Sequence, residues 1–292
     1  ITGAGAIGPF GLDAEDLEPS SGPAPTFRVR DFVRTADPRT LYRSSELLLA
    51  AVAGALRAAD LQPRGSSRER TGLFVATDHL SPSAAAEFRA SLRERGPTGP
   101  SARAFADMVL NAPAGAGAQR LTLRGPHNVI SAGDAGGLLA VILAARHLAT
   151  RTDADAIVAG GVQEGASLGS EGAACVVLEA HLDGREGDPE RQLARPSPVS
   201  SFRIEGVGVG GPDDYGLALE LAVQSLSRAR ARGDAVISGW FGPPGLAELV
   251  PGVNHLGDMS PCPGAGGATS ALGLVRALKV ATGRVVVFTP PA

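Results

Sequence analysis

Residues 121–164, LTLRGPHNVISAGDAGGLLAVILAARHLATRTDADAIVAGGVQE, constrain the fold more than any other part of the chain. They read as strand, turn, helix, strand. Residues 128–132 are a short run with β-branched members, and Gly133-Asp134-Ala135-Gly136-Gly137 is a glycine-rich turn that admits close approach of another backbone or a ligand. Leu138, Leu139, Ile142, Leu143 and Leu148 then recur at helical spacing, and residues 156–159 make a second buried strand. A strand that hands one side chain, Asp134, to the start of a buried helix is an active-site geometry, because backbone N–H groups and the helix dipole converge there. The same carboxylate also suits a plain helix cap, so both readings stay open.

The plan is repeated. A shift of 130 residues aligns Asp134-Ala135-Gly136-Gly137 with Gly264-Ala265-Gly266-Gly267, Arg146 with Arg276, Leu148 with Leu278, and Ala156-Ile157-Val158 with Val286-Val287-Phe288. Helix and strand keep register together, which predicts an α/β protein of two similar halves in an α/β/α/β/α layering. The halves are placed at residues 1–182 and 183–292, the second shortened, with a polar, proline-bearing connection over residues 183–200.

At 292 residues with 43% hydrophobic content the chain can bury such a core, and 39 Gly with 22 Pro imply many tight turns. A net charge of −3 gives no reason to invoke nucleic acid, and no apolar run approaches the roughly 20 residues a spanning helix needs. Two isolated cysteines, Cys175 in an apolar strand and Cys262 in a proline-rich turn, suggest reduced thiols and a cytoplasmic protein. Gly3, Gly5 and Gly8 match GxGxxG, but Pro9, Gly11 and the prolines from Pro19 to Pro25 break the helix that a dinucleotide site requires, so no cofactor and no metal are expected. Helices are predicted over residues 44–61, 82–93 and 213–232, and a strand over residues 71–77. Five arginines between Arg28 and Arg43 form either a solvated face or a dock for an acidic carrier protein.

These motifs resemble the β-ketoacyl synthases, the condensing enzymes of fatty-acid and polyketide synthesis, which have the thiolase fold. In that family a Gly-Pro pair precedes a strand, an Ala-Cys-x-x-Gly elbow bearing the nucleophile, a helix, and an Ala-Asp-x-x-x-x-Gly-Gly strand. Counting from Gly125-Pro126 puts the family's cysteine on Asp134, its elbow glycine on Gly137 and its closing pair on Gly160-Gly161. The opening Ile1-Thr2-Gly3-Ala4-Gly5, the Glu171-Gly172-Ala173 strand and residues 105–123, which in the family pack against the partner subunit, extend the similarity over nearly the whole chain. The family's first histidine corresponds to the neighbourhood of Gly239 and the second to Pro261, while its lysine falls on Leu256. The thiol and both histidines are therefore missing. A charged Asp134 is a weaker acyl acceptor than a thiolate and repels both a malonyl carboxylate and a developing enolate.

Loss of the catalytic groups with retention of the elbow resembles the chain-length factors, the β subunits of type II polyketide ketosynthases. The resemblance implies pairing with an active ketosynthase α subunit, contact with an acyl carrier protein bearing a phosphopantetheine-bound acyl chain, and a role in shaping the acyl tunnel. It places Ala84, Phe88 and Asp134 along that tunnel, with no catalytic residue on this chain. The alternative it leaves is an enzyme of the same fold that uses a rebuilt site for another acyl transfer.

Overall fold

The computed structural model describes residues 1–12, 21–79, 81–165, 170–180, 237–241, 254–255, 266–280 and 284–287. In chain order the elements are β1 (Gly3–Ile7), α1 (Val29–Phe32), α2 (Arg43–Ala58), β2 (Thr71–Ala76), α3 (Pro82–Arg95), α4 (Ala102–Asp107), α5 (Ala112–Leu121), β3 (His127–Ile130), α6 (Gly136–Thr150), β4 (Ala156–Gln163), β5 (Gly172–Glu179), β6 (Ile237–Phe241), β7 (Asn254–His255), α7 (Thr269–Val280) and β8 (Arg284–Val287). The predicted helix over residues 213–232 and the connection over 183–200 lie outside the described residues.

β1 to β5 form one sheet in the order β1-β5-β4-β2-β3, with β3, β2 and β4 mutually parallel and β5 antiparallel to both β4 and β1. Every residue of β2 and β4 is buried, as expected of parallel strands covered on both faces. Their period-2 alternation splits the core in two. Leu73, Val75, Val158, Val162, Ala173, Cys175 and Val177 face α2 and α5, whereas Phe74, Ala76, Ile157, Ala159, Ala174, Val176 and Leu178 face α6 and α7. α2 is apolar around most of its circumference, with Leu47, Leu48, Leu49, Ala51, Val52 and Ala55 all buried, because it lies between the sheet and the neighbouring α1 and α5. Each buried leucine there contributes about 1.5–3 kcal/mol relative to exposure. Gly3 and Gly5, two of the three glycines of the GxGxxG pattern, let β1 approach this helix: a Cβ on either would collide with the Ala55 or Ala51 carbonyl.

β6, β7 and β8 form a second, parallel sheet in the order β7-β6-β8, and α7 packs on β8 as well as on α6 and β5. The described residues thus show four layers: α2 with α5, the five-stranded sheet, α6 with α7, and the three-stranded sheet.

Element limits differ from the sequence reading at places with physical causes. The helix expected over residues 44–61 stops at Ala58, where Asp60 takes a left-handed φ of 50°. The helix expected to end at 93 runs to Arg95 and stops against Gly96 at φ 70°. β3 is His127–Ile130 rather than residues 128–132, because Ser131 and Ala132 are drawn out of the sheet by hydrogen bonds to Asp78. β4 extends to Gln163 because β5 pairs with all eight of its residues.

Candidate functional site

The turn after β3 carries Gly133 at φ 54°, a left-handed conformation that glycine adopts without strain, and a short 3-10 turn Gly133–Ala135 then leads into α6. Asp134 stands on this turn, half-buried. It does not cap α6, which corrects the helix-cap reading. Its Oδ1 instead accepts a hydrogen bond from the Thr269 hydroxyl at 3.1 Å, across to the start of α7. The cap comes from the next residue of α7: the Leu138 N–H donates to Ser270 Oγ at 2.9 Å, and Ser270 is fully buried. α6, whose own N-terminal residues offer no side-chain cap, is thus completed by the second half of the chain.

Three glycines make this contact possible. Gly137 and Gly267, equivalent under the 130-residue shift, meet directly: a Cβ on Gly137 would lie 2.8 Å from the Gly267 carbonyl oxygen. A Cβ on Gly161 would overlap that same oxygen.

Asp78, two residues beyond β2, was not singled out by the sequence. Its Oδ1 accepts from Ser131 Oγ at 3.0 Å and from the Ala132 and Gly133 N–H groups at 2.9 Å each, and so holds the turn that presents Asp134. A signal existed: an acid just past the carboxyl end of a buried parallel strand is where open α/β sheets place functional groups. The same rule marks Glu164, just past β4. Buried there, it accepts from Ser81 Oγ, the Ser83 N–H and the Ser44 N–H, tying the starts of α2 and α3 together.

Of the arginines read as a surface dock, Arg43 is corrected to an interior role. It ion-pairs with buried Glu171 at 2.6 Å and lies 4.9 Å over the Phe27 ring. Arg30 bonds the Ala36 carbonyl and approaches Asp37 at 3.7 Å, leaving Arg28, Arg34 and Arg39 as exposed basic side chains. Burial and the nearby Glu164 charge raise the Glu46 carboxyl above the ordinary glutamate range, against the opposing pull of Arg43.

The structure brings Ala84 and Phe88 together. Ala84 is fully buried in a small cluster with Tyr42 and Ala104, and Phe88 and Met108 pack against it. The Phe88 ring lies 5.9 Å from the ring of exposed Phe105. Asp134 is held on a different element. Gly239 lies in β6, His255 in β7, and Pro261, Leu256 and Cys262 fall outside the described residues. Cys175 is fully buried on the α2 side of the sheet, and burial pushes its thiol up to about 12. It is no nucleophile.

Comparison with known proteins agrees with this geometry. Residues 26–175 match the N-terminal domain of β-ketoacyl synthase. Among solved structures, the ishigamide ketosynthase/chain length factor superposes with a TM-score of 0.67 at 21% identity, covering 96% of this chain and 90% of that one. A type II PKS acyl-carrier protein in complex with its ketosynthase bound to the hexaketide gives 0.71 at 16% identity, covering 98% and 94%. A β-ketoacyl synthase from Burkholderia phymatum STM815 gives 0.63 at 16% identity, covering 96% and 86%. No curated protein matches the sequence. The fold is the thiolase-like ketosynthase fold, and, with more than half its length matched to that domain, the chain belongs to the β-ketoacyl synthase family.

Proposed function

We propose that this protein is a non-catalytic chain-length-factor subunit that pairs with an active ketosynthase α subunit and shapes its acyl tunnel during polyketide elongation in the cytoplasm. The observation that carries the reading is the elbow itself. The turn, its glycines and its helix are kept, while the nucleophile position holds Asp134, already hydrogen-bonded to Thr269. A carboxylate so placed opposes malonyl decarboxylation by charge, and the buried Cys175 offers no substitute. In this reading residues 1–182 and 183–292 are the two thiolase-like halves.

Pairing uses the edge of β3 that has no partner strand among the described residues, where His127 and Asn128 are exposed, together with the exposed apolar Phe105 and Val109 of the preceding segment. Arg28, Arg34 and Arg39 face an acidic acyl carrier protein. Phe88 stands on the tunnel wall, with Ala84 packed behind it.

The test is co-expression with candidate α subunits, followed by light scattering, intact mass analysis and product analysis. A stable heterodimer, no acyl adduct on this chain, and longer or broader products from Phe88→Ala are expected; Ala84→Phe should shorten them. A well-folded monomer at micromolar concentration that gains no partner sinks the pairing. An acyl adduct lost in Asp134→Asn favours instead an acyltransferase with a rebuilt site.

A further inference from the structure

α3 is a helix with little apolar burial to hold it in place. Of its 14 residues only Ala84 and Ser91 are buried. An alanine and a serine remove little apolar area from water, so polar contacts decide where this helix stands. Glu164 ties down its first turn through Ser81 and Ser83. Beyond that turn the contacts gather on Glu87, the neighbour of Phe88 in the chain.

Glu87 Oε2 accepts from the Tyr42 hydroxyl at 2.8 Å and from Arg103 Nη2 at 2.7 Å, and Oε1 accepts from the Ser101 hydroxyl at 2.9 Å. The Arg103 guanidinium also lies 4.5 Å over the Tyr42 ring and donates to the Arg39 carbonyl at 2.7 Å. These donors come from separate elements. Tyr42 immediately precedes α2, which packs on the sheet, whereas Ser101 and Arg103 stand at the start of α4. One carboxylate therefore joins α3 both to the core and to the helix that carries Phe105, whose ring meets that of Phe88. One turn further on, the buried Ser91 hydroxyl accepts from the Ser101 N–H at 2.7 Å and donates to the Phe88 carbonyl at 2.8 Å. Phe88 is thus bracketed, by the bonds of its neighbour and by a bond at its own carbonyl. The Arg103–Glu87 pair is partly exposed and screened by water, so the hydroxyl bonds fix the geometry more than the charge does. The same bonds, Tyr42 first and then Ser101, hold the Glu87 carboxyl below the ordinary glutamate range. Burial, and then the bond to Glu87, push the Tyr42 phenol up to about 12, which keeps it a donor.

We propose that Glu87 is a positioning residue for chain-length selection: it fixes the place of the Phe88 ring, and through that ring the length of acyl chain the tunnel accepts. The inference rests on the reading of Phe88 as tunnel wall. A wall residue on a poorly buried helix discriminates between chains differing by one extender unit only when its support is rigid. Glu87 supplies that support without touching the chain itself.

The experiment compares heterodimers reconstituted with the α subunit and carrying, on this chain, Glu87→Ala, Tyr42→Phe, Phe88→Ala, or Glu87→Ala with Phe88→Ala. Product lengths are read by mass spectrometry, and the Tm of each chain is measured alongside. The share of off-length product should rise roughly 2- to 10-fold in Glu87→Ala, the factor that one hydrogen bond's net contribution represents. Tyr42→Phe, which keeps the ring packed against Ala84 and Ala104, should shift products the same way by less. The double variant should give the product profile of Phe88→Ala alone, although Glu87→Ala lowers Tm in both backgrounds. A merely structural Glu87 would move Tm without this dependence on Phe88. If Phe88→Ala changes the products while Glu87→Ala and Tyr42→Phe do not, the positioning role is overturned and the wall reading stands. Additive shifts in the double variant also overturn it, since Glu87 then acts by another route. Unchanged products in Phe88→Ala remove the wall reading and this inference with it. Should Glu87→Ala fail to fold, Tyr42→Phe, alone and combined with Phe88→Ala, decides by the same criteria.

Discussion

The two halves of the molecule share a plan. In the first, parallel strands lie in the order β3-β2-β4 with α6 joining β3 to β4; in the second, they lie in the order β7-β6-β8 with α7 leading into β8. They differ where they touch. The second half lends Thr269 and Ser270 hydroxyls to the first, at positions whose equivalents under the 130-residue shift, Leu139 and Ala140, are apolar and return nothing. The difference teaches that the duplication keeps its architecture through glycines and strand order, while polar side chains at the junction are free to specialise one elbow.

The sharpest way to break this junction is Gly161→Ala. The added methyl overlaps the Gly267 carbonyl, and backbone cannot move aside as a side-chain tip can, so a loss above about 4 kcal/mol is expected in denaturant unfolding. A near-native midpoint would mean that the halves do not dock this tightly. Next is Asp78→Ala, which strands three donors on the Asp134 turn. A loss of about 2–4 kcal/mol is expected, with most of it recovered by Asp78→Asn. Ser270→Ala, leaving the Leu138 N–H without its cap, should cost about 1–2 kcal/mol. An unchanged Tm would show that α6 does not depend on the second half for its cap.

Glu46→Gln has the smallest expected effect, and its sign is fixed by protonation. The carboxyl of Glu46 is raised in the folded state, so its contribution is fully favourable below the ordinary glutamate pKa and is lost as pH rises through the folded value. The glutamine variant should therefore be slightly more stable than the parent at pH 7, and the gain should vanish toward pH 4. Tm profiles of both proteins across that range check it, and a gain that grows on acidification contradicts it.

Much of the fold was legible because it is written in short-range pattern. The apolar runs of β2, β4 and β5, the turn glycines at Gly133 and Gly137, and the 130-residue repeat are each local or periodic signals. The site was legible only as far as Asp134 itself. Its partner Thr269, the cap Ser270, and the turn-holding Asp78 are brought in by tertiary contacts spanning 53 to 135 residues, and no sequence period marks them. Arg43 misled for the same reason. Among five arginines it looks like surface charge, and only the return of the chain at Glu171, 128 residues later, turns it inward.

The borrowed cap also orders events in time. The Leu138 N–H and the Ser270 hydroxyl are separated by 132 residues. At about 5–20 residues per second, a ribosome needs roughly 7–26 seconds to bridge that gap, during which α6 has emerged but cannot be completed at its N-terminus. Over that interval the nascent first sheet carries one apolar face with neither α7 nor a finished α6 to cover it. Synthesis of this protein thus includes a built-in waiting period during which the elbow is unfinished.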